Sequence, residues 1–144
     1  MKNKDIIVFG GSGFLGSHIS TNLSKKGFNV RIFDKIKSKY LEENQDMIIG
    51  DLLSSKDVEK AIAGCDFVMN FAGLSDIETS NNDLLRTINE NIIANAILLE
   101  SCYKNKVKRY VFASSLYVNG KYGGNYRISK QACEEFILNF HNNY

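Results

Sequence analysis

The 144-residue chain has no proline, only three cysteines, a formal net charge of just +2 and no apolar run long enough to cross a bilayer. Each scarcity excludes something. Cys65, Cys102 and Cys133 are odd in number, far apart and include no Cys-x-x-Cys pair, which argues against a disulfide framework and for reduced thiols in a cytoplasmic protein. Eighteen basic residues against sixteen acidic ones give no electrostatic grip on nucleic acid. The cluster Lys104, Lys106, Lys108 and Arg109 reads as a solvated helix end that complements the helix dipole. The start, Met1 to Asp5, runs straight into the short apolar stretch Ile6 to Phe9 and then into glycine, without the longer apolar region and cleavage site of a signal peptide. No membrane association is expected. His18 and His141 have no metal-ligand spacing, so no metal site is expected.

What is present is the composition of an ordinary soluble domain, 44% hydrophobic and 24% charged, of a size that buries a core without disulfides. One domain over 1–144 is the expectation. Ile6 to Phe9, Asn29 to Phe33, Met47 to Ile49, Phe67 to Phe71 and Tyr110 to Ala113 read as five strands, because near-continuous apolar runs suit strands covered on both faces. Phe14 to Lys26, Ser55 to Ala63, Leu84 to Lys104 and Tyr126 to Phe140 read as helices. Gly27 and Gly64 fall where a left-handed residue ends a helix, and Ser54 with Asp57 resembles a capping box. The alternation predicts an α/β fold, a Rossmann-like doubly wound parallel sheet of about five strands with helices on both faces. Leu85, Ile88, Ile92, Ala96, Leu99 and Cys102 form a stripe that reads first as core.

The segment Phe9-Gly10-Gly11-Ser12-Gly13-Phe14-Leu15-Gly16 follows the first strand and opens the first helix, the context that the dinucleotide fingerprint demands. Two registers fit, Gly11-Gly13-Gly16 and Gly10-Gly13-Gly16. In either, one glycine makes a sharp turn, Gly13 lets backbone approach a pyrophosphate, and Gly16 allows close helix–strand packing. No Gly-Lys-Ser/Thr follows, which excludes a P-loop. Asp34 closes the second strand about 20 residues on, where a carboxylate accepts hydrogen bonds from the adenosine ribose hydroxyls. That favours NAD. A 2′-phosphate would meet like charge there, softened only by Lys35, Lys37 or Lys39.

On these residues the chain resembles the extended short-chain dehydrogenases/reductases, the NAD-dependent epimerase/dehydratase family. GGSGFLG looks like the family's glycine signature. Gly50-Asp51-Leu52 is similar to its adenine-contacting segment, and Asn70-Phe71-Ala72-Gly73 to its cofactor-contacting HxAA or NxAG segment. Asn91 resembles the Asn of its long central helix, and Arg109 to Ser115, RYVFASS, the strand that leads to its active site. The resemblance implies cofactor contacts from Gly10, Gly13, Phe14, Leu15, Gly16, Asp34, Asp51, Leu52, Phe71, Ala72, Gly73, Asn91, Tyr126 and Lys130. It also implies a catalytic set of Ser115, Tyr126 and Lys130, with Ser114 as the neighbouring alternative to Ser115. The residues themselves add that Tyr126 and Lys130 are four apart on a predicted helix and share one face. Tyr126 is then expected to exchange a proton with a substrate hydroxyl, Lys130 to hold the nicotinamide ribose, and Ser115 to hydrogen-bond the reacting oxygen.

The implied activity is that of an epimerase, dehydratase or reductase on a nucleotide-sugar, with a homodimer through the Leu84–Lys104 and Tyr126–Phe140 helices. The interval from Ser115 to Tyr126 is short, and Asn119-Gly120 stands where the family more often has Tyr-Gly. The prolines usual before its active-site Tyr and in its next strand are missing. The sequence matches the family's N-terminal cofactor part, and the smaller C-terminal region that supplies most sugar contacts is expected to be absent. Two alternatives stay open, a non-catalytic NAD-binding or redox-sensing module and an inactive truncated product. A non-sugar substrate is a third, since specificity resides in the absent region.

Overall fold

Five strands build one parallel sheet in a computed structural model that describes residues 4–143. They are β1 (Asp5–Phe9), β2 (Asn29–Asp34), β3 (Gln45–Ile49), β4 (Phe67–Asn70) and β5 (Arg109–Phe112), in the order β3-β2-β1-β4-β5. β1 is central because Ile6, Ile7, Val8 and Phe9 are all buried and alternate between two faces. Ile7 and Phe9 join Phe33, Val58, Ile62, Val68 and Leu98 in one core. Ile6 and Val8 join Val30 and Ile32 in the other, under Leu23 and Phe28. The two cores are the physical content of a doubly wound sheet. The order runs outward from β1 in both directions, so the connection reverses between β1 and β4. A crevice outside the strand ends is expected at that point.

The helices are α1 (Phe14–Lys25), α2 (Ser55–Ile62), α3 (Ile77–Asn82), α4 (Leu84–Thr87), α5 (Ala94–Lys104) and α6 (Gly124–Asn143). α1 packs on β1 and β2, whereas α2 packs against α5 and α5 against α6. Gly27 (φ 84°) and Gly64 (φ 79°) take the left-handed conformation expected of them. Ser54 Oγ accepts the Asp57 amide at 3.3 Å, but Asp57 does not reciprocate. Its carboxylate accepts the Asp51 amide at 3.3 Å, so half of the capping box instead anchors the loop after β3.

Three features depart from the sequence reading. The predicted single helix Leu84–Lys104 is interrupted by a π-helical turn at Ile88–Ile93. The wider turn shifts the helix face, so Leu85 is 74% exposed and the predicted core stripe holds at Leu99 and Cys102 while Leu98 is fully buried. α3 is too polar to announce itself by periodicity, and it forms because Asp76 Oδ1 caps Thr79 N (2.7 Å) and because α6 packs on it. A 3-10 turn at Leu116–Asn119 also lies in what reads as loop. The remaining ends agree or differ by at most three residues. Among the described residues no helix is long and apolar enough to cross a membrane.

Candidate functional site

A cleft of about 510 Å³ is lined by the segments that follow β1, β2, β3 and β4, together with one face of α4 and the turns beyond it. The glycine loop forms its floor. Gly10 has φ 75°, and a side chain there would meet Ala72 N at 2.6 Å. A Cβ on Gly11 would lie 2.6 Å from Ile32 Cγ2, so both candidate registers are needed, one for the turn and one for packing. A Cβ on Gly16 would drive into the Gly10 carbonyl oxygen, with the Gly10 carbonyl carbon and Gly11 Cα each 2.8 Å away. Gly13 differs. A Cβ there finds nothing nearer than Gly10 O at 3.3 Å, so the fold does not demand its bareness and the open cleft beside it does.

Gly13 is the N-cap of α1, which has neither a side-chain cap nor an acidic residue in its first turn. Its first N–H groups therefore lack a protein acceptor. Phe14 and Leu15 are 76% and 57% exposed beside them. An uncapped helix start facing open space through a bare glycine suits a phosphate group, so these residues fit the pyrophosphate of a dinucleotide.

Asp34 lies at the end of β2, where its Oδ2 accepts Ser12 N at 3.0 Å and its Oδ1 accepts Ile36 N at 3.4 Å. Ser12 Oγ donates to Ile36 O at 2.8 Å, so the glycine loop and the end of β2 are braced together. Asp51 Oδ1 accepts Leu53 N at 3.0 Å, and Leu52 lines the cleft beside it. On the opposite wall, Phe71, Ala72 and Gly73 follow β4. Asn70 Oδ1 accepts Ala72 N at 3.0 Å, and Asn70 Nδ2 donates to the Tyr110 hydroxyl at 2.9 Å, which donates to Asn95 Oδ1 at 2.6 Å. Burial raises the Tyr110 phenol well above its ordinary value of 10, which keeps it a neutral donor in this chain of bonds.

Asn91 is placed differently from the sequence expectation. It is 4% exposed and does not line the cleft. Its Oδ1 accepts Leu74 N (2.7 Å), while Nδ2 donates to Leu74 O (3.1 Å) and Ser129 Oγ (2.8 Å). It clamps the loop after β4 to α6. Lys35, Arg86 and Glu90 line the cleft although no motif marked them as cofactor residues. The signal available in the sequence was the spacing of Arg86, Glu90 and Ala94, four residues apart on one helical face.

Ser115, Tyr126 and Lys130 lie beyond the lined cleft, around the end of β5. Ser115 N-caps the 3-10 turn, its Oγ accepting Tyr117 N at 3.3 Å, which leaves the hydroxyl proton free to donate. The Tyr126 ring stands edge-on to Tyr117 (6.3 Å, 83°). Lys130 is 7% exposed. Its Nζ donates to Ala113 O at 3.0 Å and sits 4.6 Å from the Phe112 ring centroid and 5.8 Å from that of Tyr126. Burial pulls this lysine below its ordinary 10.5, with the Cys133 thiol acting in the opposite direction. Cys102 and Cys133 are pushed up by burial to about 12 and about 11, so neither is a thiolate nucleophile at neutral pH.

Fold and cleft together define a dinucleotide-binding α/β unit with a Ser, Tyr, Lys group at the next strand end. Residues 6–144 match the NAD dependent epimerase/dehydratase family, and the chain belongs to that family of enzymes. The bifunctional UDP-glucose 4-epimerase and UDP-xylose 4-epimerase 1 of Pisum sativum is 31% identical over 135 residues, covering 83% of this chain and 39% of the relative. Among solved structures, a UDP-N-acetylglucosamine 4-epimerase from Methanobrevibacter ruminantium M1 in complex with UDP-N-acetylmuramic acid is 31% identical with a TM-score of 0.88. It covers 100% of this chain and 52% of its own. MoeE5 in complex with UDP-glucose and NAD is 29% identical with a TM-score of 0.86, covering 94% of this chain and 48% of its own. The chain thus spans two fifths to one half of the length of these relatives.

Proposed function

We propose that this chain binds NAD and forms the cofactor-binding, acid/base part of an enzyme that acts on a nucleotide-sugar. The observation that carries the reading is the uncapped start of α1 behind the bare Gly13, with the Asp34 carboxylate braced against the same glycine loop in one cleft. The first amides of α1 would hold the pyrophosphate, Asp34 would accept hydrogen bonds from the adenosine ribose hydroxyls, and the segments at Asp51-Leu52 and Phe71-Gly73 would flank the rest. When bound, NAD supplies a hydride acceptor. Lys130, fixed by Ala113 O, places a cation beside Tyr126 and would hold the nicotinamide ribose. Tyr126 exchanges a proton with the sugar hydroxyl, and the Ser115 hydroxyl donates to the reacting oxygen. A cytoplasmic setting belongs to the same proposal, supported by three buried free thiols. So does a homodimer through the helices at Leu84–Lys104 and Tyr126–Phe140, supported by exposed Leu84, Leu85, Ile93, Ile128 and Phe136.

Calorimetric titration of the chain with NAD should give saturable heat, and no heat at millimolar ligand would sink the binding claim. In a polypeptide extended through the substrate region, Tyr126→Phe should abolish turnover of UDP-sugars while retaining NAD binding. Undiminished turnover would remove Tyr126 from the chemistry.

A further inference from the structure

Lys35 directly follows Asp34 and lines the cleft, as does Arg86, and these are the only two cations on its walls among the described residues. Lys35 Nζ lies 3.7 Å from Asp51 Oδ1 and 3.8 Å from Glu90 Oε1. The same Glu90 Oε1 accepts Arg86 Nε at 3.1 Å. A continuous ionic chain, Asp51 to Lys35 to Glu90 to Arg86, therefore joins the loop after β3, the end of β2 and the helical wall. Glu90 is its sheltered member, with a side chain 25% exposed against 51% for Asp51, and Arg86 holds it in place. Two carboxylates thus share one ammonium beside the carboxylate expected to meet the ribose.

NADP differs from NAD by a phosphate on that ribose. A site that accepts it needs a cation free to approach, because Asp34 repels it. Lys35 is next in the chain and is the cation on this side of the cleft. We propose that Glu90 is a specificity-determining residue: by drawing the Lys35 ammonium across the cleft, it denies a 2′-phosphate its counter-charge and enforces NAD over NADP. The inference rests on the reading of the cleft as a dinucleotide site. Glu90 acts through Lys35, so it is a positioning residue. Part-exposed pairs at these distances are weak, which sets the expected effect at about two- to five-fold in affinity ratio rather than at orders of magnitude.

The test is the ratio of NADP to NAD dissociation constants, measured calorimetrically at low ionic strength. The wild-type chain prefers NAD. Glu90→Gln, which preserves shape, lowers the NADP/NAD ratio about two- to five-fold, and Lys35→Met in that background cancels the change. Glu100→Gln removes the same charge from an exposed position on α5 outside the cleft and leaves the ratio where it was. A ratio unmoved by Glu90→Gln, moved equally by Glu100→Gln, or still lowered when Lys35 is absent overturns the proposal while leaving the dinucleotide site intact. If the wild-type chain binds neither nucleotide, the dinucleotide reading fails and this inference falls with it.

Discussion

Two glycines of one motif should respond to the same substitution in opposite ways. At Gly16 a methyl group would enter the Gly10 carbonyl oxygen and approach two further backbone atoms at 2.8 Å. None of these atoms can swing aside as a flexible side chain would. Overpacking of this kind costs about 1–3 kcal/mol, which for a domain of this size lowers the melting temperature by roughly 3–12 °C. At Gly13 the backbone (φ −76°, ψ 176°) is open to any residue and the nearest contact is 3.3 Å. The entropy gained by restricting the unfolded chain, about 0.4–1 kcal/mol, is offset by Ala being a poor N-cap, so the net change in stability stays within about 1 kcal/mol. The methyl group would, however, stand between the first amides of α1 and the phosphate. At least a tenfold loss of NAD affinity is expected, about 1.4 kcal/mol. Thermal unfolding followed by circular dichroism, with calorimetric NAD titration of both variants, separates the two effects. The reasoning fails if Gly13→Ala melts as early as Gly16→Ala, or if it binds NAD as the wild type does.

Two further outcomes follow from buried groups. Asn91→Ala leaves Leu74 N and Leu74 O without their Asn91 partner and removes one of the two bonds of Ser129 Oγ, which keeps Tyr126 O, so urea unfolding should show a loss of about 2–4 kcal/mol and the Leu74 amide should exchange faster with solvent. Unchanged exchange at Leu74 would refute the clamp. Lys130 is held below 10.5 by burial, so the folded state binds fewer protons than the unfolded state between the depressed value and 10.5. Its charged form weighs against folding below that window, and stability is regained as pH rises through it. Relative to Lys130→Met, the wild-type protein should therefore gain stability between neutral pH and about pH 10, as read by thermal melts. A constant difference would contradict the burial of the ammonium.

The elements that the sequence announced are those whose physics is local. β1 was legible because four consecutive apolar residues that stop at a glycine suit a strand covered on both faces, and α1 because glycines bracket it. The glycine loop and Asp34 were legible because cofactor geometry fixes their spacing along the chain. Glu90, Arg86 and Lys35 were not assigned to the cleft, since which helical face meets it depends on how α4 and the π-helical turn settle against the sheet. Tyr110 reads as a strand aromatic, and only the packing of α5 brings Asn95 to its hydroxyl. α3 was invisible because its five polar residues after Ile77 carry no periodicity and their order comes from α6. Ser115 was marked by resemblance, yet its hydroxyl also caps a turn that no spacing foretold.

Asp34 has two tasks on one carboxylate. The oxygen that accepts Ser12 N holds the glycine loop in place, so the group expected to choose between ribose and ribose phosphate is also a strut of the phosphate seat. Any redesign that trades Asp34 for a smaller or basic residue would loosen that seat as it relaxes selectivity. Cofactor exchange in this scaffold is therefore better sought at Glu90 or Lys35, where the charge can be rearranged without unpinning the loop that does the binding.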